Sequence, residues 1–167
     1  AVDRKESQAI SHYIMGVIAE DSGRIDQAIE AYKKVLKNDD KNSVVHLSLA
    51  SSYIKSNQPQ KAIEELNAAS RLSPDSVEPH AILALLYSTL DKTDLATAEY
   101  EIALKNAAKL QPQNPEVYKG LGAIYLRQKK LKEAETTYRL IIDFNPQDAE
   151  AHFYLGNVYA DLNKKDL

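Results

Sequence analysis

Four histidines, His12, His46, His80 and His152, raise the first chemical question in this 167-residue chain. Imidazole is a common metal ligand and the side chain that changes charge near neutral pH. The spacings are 34, 34 and 72 residues, so a recurring interval puts each histidine at the same place of a separate unit. Neighbouring packed helices stand roughly 8–10 Å apart, whereas zinc needs each ligand nitrogen at about 2 Å. The four therefore do not converge on one ion, and no metal site is expected. They read as half-buried packing side chains, with a pH response of the array as the alternative.

Other reactive constellations are missing. Gly120-Leu-Gly122 begins a dinucleotide-like fingerprint, but Tyr125 stands where the third glycine belongs and no strand precedes it. His-Glu-x-x-His, Gly-x-Ser-x-Gly and a phosphate loop ending in Gly-Lys-Ser/Thr are absent. Glu64-Glu65, Glu99/Glu101 and Glu133/Glu135 stand beside Lys and Arg, the pattern of solvated helix faces. The expectation is no catalytic residue, no enzyme activity and no cofactor. With no cysteine, disulfides and thiolate chemistry are excluded while the compartment stays open, cytoplasmic or bacterial periplasmic. A net charge of -3 and a pI near 5.8 give no basic patch for nucleic acid. No apolar run approaches the roughly 18 residues of a membrane span, so no direct membrane insertion is expected, and AVDRKESQAI does not read as a secretory signal as it stands.

The elements that must position these residues follow from one stretch, Pro115 to Asp148. Numbering its 34 places from Pro115, the same pattern starts at Ala9, Ser43, Val77 and Ala149. The predicted units are 9–42, 43–76, 77–114, 115–148 and an incomplete 149–167, within a single domain 1–167 without linkers. Small residues fill place 8 (Gly16, Ala50, Ala84, Gly122, Gly156) and place 20 (Ala28, Ala62, Ala96, Ala134), where two antiparallel helices must cross closely. Tyrosines fill place 11 (Tyr53, Tyr87, Tyr125, Tyr159) and place 24 (Tyr32, Tyr100, Tyr138), which explains seven of the ten as packing. Turn chemistry separates the units at 38–42, 73–76, 111–114 and 145–148, where Asp, Asn or Ser caps the next helix. Unit three carries four extra residues after Leu104, about one helical turn, so its second helix should be one turn longer. Asp3 with Glu6 suggests a capping box and a first helix that starts early and runs to about Ser22.

Tyr118, Leu121, Gly122, Tyr125, Ala134, Tyr138 and Pro146 resemble the tetratricopeptide-repeat signature. The resemblance covers residues 9–167 and implies an all-α, right-handed α-solenoid of antiparallel helix pairs, of a bacterial type. It implies a non-catalytic interaction module, adaptor or scaffold, whose first helices line a concave groove through places 2, 5, 6, 9, 12 and 13. Carried over to this chain, the peptide-binding residues are Tyr13, Ile14, Val17, Leu47, Ser48, Ser51, Ile82, Leu85, Lys119, Arg127, Phe153, Tyr154 and Asn157. Co-chaperone members grip a C-terminal carboxylate with Lys, Asn and Arg across three successive units. Here Ala123 and Tyr154 stand where asparagines are wanted, so a protein or peptide held through apolar contacts is expected instead, with Lys119 and Arg127 adding polar ones. The apolar places admit a second reading, packing between neighbouring first helices. A second functional reading is a homo-oligomer or self-assembling scaffold, joined through Leu155, Tyr159 and Leu162 of the incomplete last unit.

Overall fold

The computed structural model describes residues 4–163; Asp3 of the capping-box match and Leu167 lie outside them. Among the described residues there are nine α-helices and no strand, in two compact units that divide between Lys92 and Thr93, inside the third predicted repeat. The first unit holds α1 (Arg4–Asp21), α2 (Ile25–Leu36), α3 (Ser43–Lys55), α4 (Pro59–Leu72) and α5 (Glu78–Thr89). The second holds α6 (Thr93–Leu110), α7 (Pro115–Arg127), α8 (Leu131–Phe144) and α9 (Ala149–Asn163). Each helix packs on its chain neighbour within its unit, as helix pairs do in an α-solenoid. At 18 residues α6 exceeds the 14 of α4 and of α8 by four, the extra turn that the insertion implied.

The helix ends have local causes. Asn42, Asn114 and Asp148 cap α3, α7 and α9, accepting from the backbone N–H of Val45, Glu116 and Ala151 at 3.2, 3.1 and 2.9 Å. At the start of α5 the expected serine does not hold the cap position. Val77 holds it, with helical dihedrals and no side-chain bond, although the turn before it closes as those before α7 and α9 do, Ser76 N–H to Ser73 O like Asn114 N–H to Gln111 O and Asp148 N–H to Asn145 O. Inside the repeats, place 15 is left-handed in every complete unit: Gly23, Asn57, Asp91 and Lys129 have φ of 73, 57, 56 and 57°. Each is followed by an N–H bonding five residues back, Arg24 to Ala19, Gln58 to Tyr53, Lys92 to Tyr87 and Lys130 to Tyr125, at 2.8 to 2.9 Å. Those are Schellman closures, which satisfy carbonyls at the end of the first helix and reverse the chain into the second.

Close crossing explains the small places. A methyl group at Gly16 would lie 2.5 Å from the Tyr32 ring and one at Gly122 would lie 2.7 Å from Tyr138, so each glycine admits the tyrosine of its own second helix. Ala28, Ala62 and Ala134 are fully buried on the facing helices. The cores of the two units are built around Tyr32, Leu49 and Leu66, and around Tyr138, Ile141 and Val158. Two packing tyrosines depart from expectation. Tyr100 is exposed on α6, and Tyr159 is exposed on α9, where its hydroxyl reaches Glu135 of α8 at 3.3 Å.

Candidate interaction surfaces

Place 4 carries hydrogen-bond chemistry rather than metal chemistry. His46 Nε2 meets the Asp40 carbonyl at 3.0 Å, Tyr118 donates to the Pro112 carbonyl at 3.0 Å, and His152 Nε2 meets the Pro146 carbonyl at 2.9 Å. In each case the ring reaches six residues back, pinning the turn between repeats. His46 also places Nδ1 2.6 Å from Glu65 Oε2 on α4. His12 and His46 are half-buried and His80 is buried, but His152 is exposed, a correction to the packing expectation. No group of three or more His, Asp or Glu among the described residues is arranged to hold a metal.

The solvated-face reading of the carboxylates also needs correction. Glu101 on α6 has only 12% of its side chain exposed; it pairs with Lys105 at 2.7 Å, accepts from Gln128 at 3.2 Å and lies 3.8 Å from Lys130. Burial raises its pKa, but the bonds from Lys105 and Gln128 outweigh that and hold it below the usual carboxylate value. Glu65 is covered by His46. Glu20, at place 12 of α1, is a carboxylate that sequence reasoning missed. It accepts from Tyr32 at 3.0 Å, Ser51 at 3.0 Å and Lys55 at 2.8 Å, joining α1, α2 and α3. Its partners lie 12 to 35 residues away, so no local spacing announces them. Burial and the same carboxylate push the Tyr32 hydroxyl well above the ordinary tyrosine range.

The groove residues of the first unit divide into two sets. Val17, Leu47 and Ile82 are half-buried against the unit's core, and Tyr13 packs its ring on Tyr32 at 5.8 Å. Ser48 donates to the Val44 carbonyl at 3.1 Å and lies 3.5 Å from the Tyr13 hydroxyl, while Ser51 bonds Glu20. Those six are engaged within the fold. Ile14 is more than half exposed and Leu85 about two-thirds. Ile10 and Val44, both at place 2, are also more than half exposed and border a hollow of about 390 Å³ between α1, α2 and α3. Place 2 belongs to the groove in the family pattern, and that signal could have identified them.

In the second unit, Lys119 and Tyr154 come together in a hollow of about 310 Å³ with Ala123, Leu126, Tyr138 and Glu150. Tyr154 stacks on Tyr138 with centroids 5.3 Å apart, and burial pushes the Tyr138 hydroxyl up to about 12. Phe153 meets Tyr154 edge-on at 5.4 Å and is about two-thirds exposed. Lys119 lies 3.2 Å from Glu150, 3.2 Å from Asp148 and 3.4 Å from Glu116. Its pKa is raised by the bonds to Glu150 and then Asp148. Asp148 is held below its ordinary value by the Ala151 backbone N–H and then by Lys119. Arg127 and Asn157 are exposed on α7 and α9. Of the oligomer-contact residues, Leu155 and Leu162 are half-buried on the unit's core and Tyr159 is exposed.

Known proteins share this architecture. Residues 5–166 match the family model described as the cilia and flagella-associated protein 70 C-terminal domain. Human protein O-mannosyl-transferase TMTC1 is 27% identical over 148 residues, 86% of this chain, and the chain spans 16% of that relative. A crystal structure of MamA superposes with a TM-score of 0.57 at 28% identity, covering 95% of this chain and 85% of that one. YrrB, described as a TPR protein with an unusual peptide-binding site, superposes at 0.60, covering 93% of this chain and 78% of that one; at 19% identity it speaks for the fold alone. Repeat arrays of this architecture present extended binding surfaces, which marks the chain as a protein-interaction or scaffold module. With recurrent helix pairs and a family match running nearly end to end, the chain belongs to the tetratricopeptide-repeat family, within the group of the cilia and flagella-associated protein 70 C-terminal domain.

Proposed function

We propose that this chain is a non-catalytic adaptor that holds an extended or helical protein segment along its first-helix face. The observation that carries this is the pair of exposed apolar side chains Ile10 and Val44 bordering the hollow of the first unit, with Ile14 also exposed on α1 and Leu85 on α5. Exposed apolar side chains grouped at a concavity mark interaction sites more often than scattered ones do. Burying such area contributes about 25 cal/mol per Å². Tyr13 lines that hollow, while Val17, Leu47 and Ile82 are half-buried against the unit's core. Ile14→Asp with Val44→Asp places two charges in that contact without touching the buried core. Partners captured by the unaltered protein should be lost while helix content and unfolding temperature stay unchanged.

A second reading, self-association through the last repeat, is supported by Gly156. Its equivalents Gly16 and Gly122 are filled by Tyr32 and Tyr138, whereas a methyl at Gly156 would meet nothing within 4 Å. In this reading a helix from another copy covers Gly156 and Tyr159. Sedimentation equilibrium should then show reversible association that Gly156→Trp abolishes; a monomer at all concentrations removes it.

A further inference from the structure

We propose that the hollow of the second unit, between α7, α8 and α9, takes an arginine or lysine side chain of a partner protein segment. This deepens the interaction reading above and rests on it. The hollow is walled by Ala123, Leu126, Tyr138 and Tyr154, which suits the aliphatic stem of a long side chain. Phe153, next to Tyr154 on α9 and edge-on to it, lies outside that lining and is about two-thirds exposed, an added aromatic surface for a cation.

Charge decides what the rim selects. Lys119 meets three carboxylates, Glu116, Asp148 and Glu150, which leaves two negative charges in excess. Lys119 is thus already surrounded by carboxylates, which disfavours a further one from an incoming peptide. Asp148 is largely covered and committed to capping α9. Glu150 and Glu116 keep 57 and 76% of their side chains exposed, with oxygens open to a second cation. Acidic peptides are repelled here, and basic ones are attracted.

The test uses the 167-residue protein and two short amphipathic peptide probes, identical except that one carries arginines and the other glutamates on its polar face. Shifts of the Gly120, Ala123 and Gly156 amide signals report binding at the hollow. The arginine probe should shift them and the glutamate probe should not. Glu150→Lys should weaken the arginine probe about tenfold by turning attraction into repulsion. Loss of the cation–π face in Phe153→Ala should weaken it about threefold. Lys119→Ala should strengthen it about threefold by removing the competing cation. All three positions are at least partly exposed, and thermal unfolding checks that each variant folds. Equal binding of both probes, no binding of the arginine probe, indifference to Glu150→Lys, or weakening by Lys119→Ala overturns the proposal. If the hollow fails while Ile14→Asp with Val44→Asp still abolishes partner capture, the adaptor reading survives alone. If the hollow responds as described and that double variant keeps its partners, the first-unit contact is the part that falls.

Discussion

Glu20 carries more of the first unit's order than any single acidic residue in the repeat signature would suggest. Burial raises its pKa, but bonds from Lys55, Ser51 and Tyr32 outweigh this and bring it below the ordinary 4.5. A carboxylate whose folded pKa is depressed stabilises the fold fully above its unfolded value and loses that contribution as pH falls through the folded one. Glu20→Gln should therefore lower stability at neutral pH by about 1–3 kcal/mol, the scale of hydrogen bonds to a charged group. The gap between variant and parent in urea unfolding should close as pH drops below 4.5. A gap independent of pH would mean that the network acts by shape alone. None of this was legible from spacing, because Ser51 and Lys55 join Glu20 only after the repeats stack. The histidines were the reverse case. Their shared place was plain in the sequence, but the bond six residues back that gives the place its role belongs to the folded turn.

Among the elements, the turns within repeats show what a sequence discloses and what it withholds. Gly23, Asn57 and Asp91 are residue types that tolerate a left-handed backbone, so they suit the turn they form. Lys129 has the same φ of 57° and no such tolerance, yet the chain forms the same Schellman closure there. Lys129→Gly should raise stability by about 0.5–1 kcal/mol, because relief of the left-handed strain exceeds the added freedom of the unfolded chain. Chemical denaturation of the two proteins measures it, and an unchanged midpoint would show that the turn is unstrained. Helix caps at Asn42, Asn114 and Asp148 and the extra turn of α6 were readable, since each rests on neighbours in sequence. The start of α5 was not: its turn closes like those before α7 and α9, yet the helix begins one residue later with Val77 in the cap position.

For the molecule, the repeat period made the fold legible while leaving the working surface half hidden. Every first helix uses the same places for packing and for contact, and the neighbours decide which. Tyr13 turns onto Tyr32, and Leu47 and Ile82 onto the core, whereas Ile14 and Leu85 are exposed. Lys119 looks like a ligand contact in the sequence, but the acids of α7 and α9 have already claimed it. The chain is an interaction module by family and fold, and we propose that it works through the apolar row on α1 and α3. Quantitative affinity capture from native lysate, comparing the parent protein with the Ile14→Asp, Val44→Asp variant and paired with thermal unfolding of both, tests this directly. Matching unfolding temperatures and loss of the parent's specific partners from the variant are expected. A variant that unfolds at the same temperature and retains every partner would refute the apolar row as the working surface.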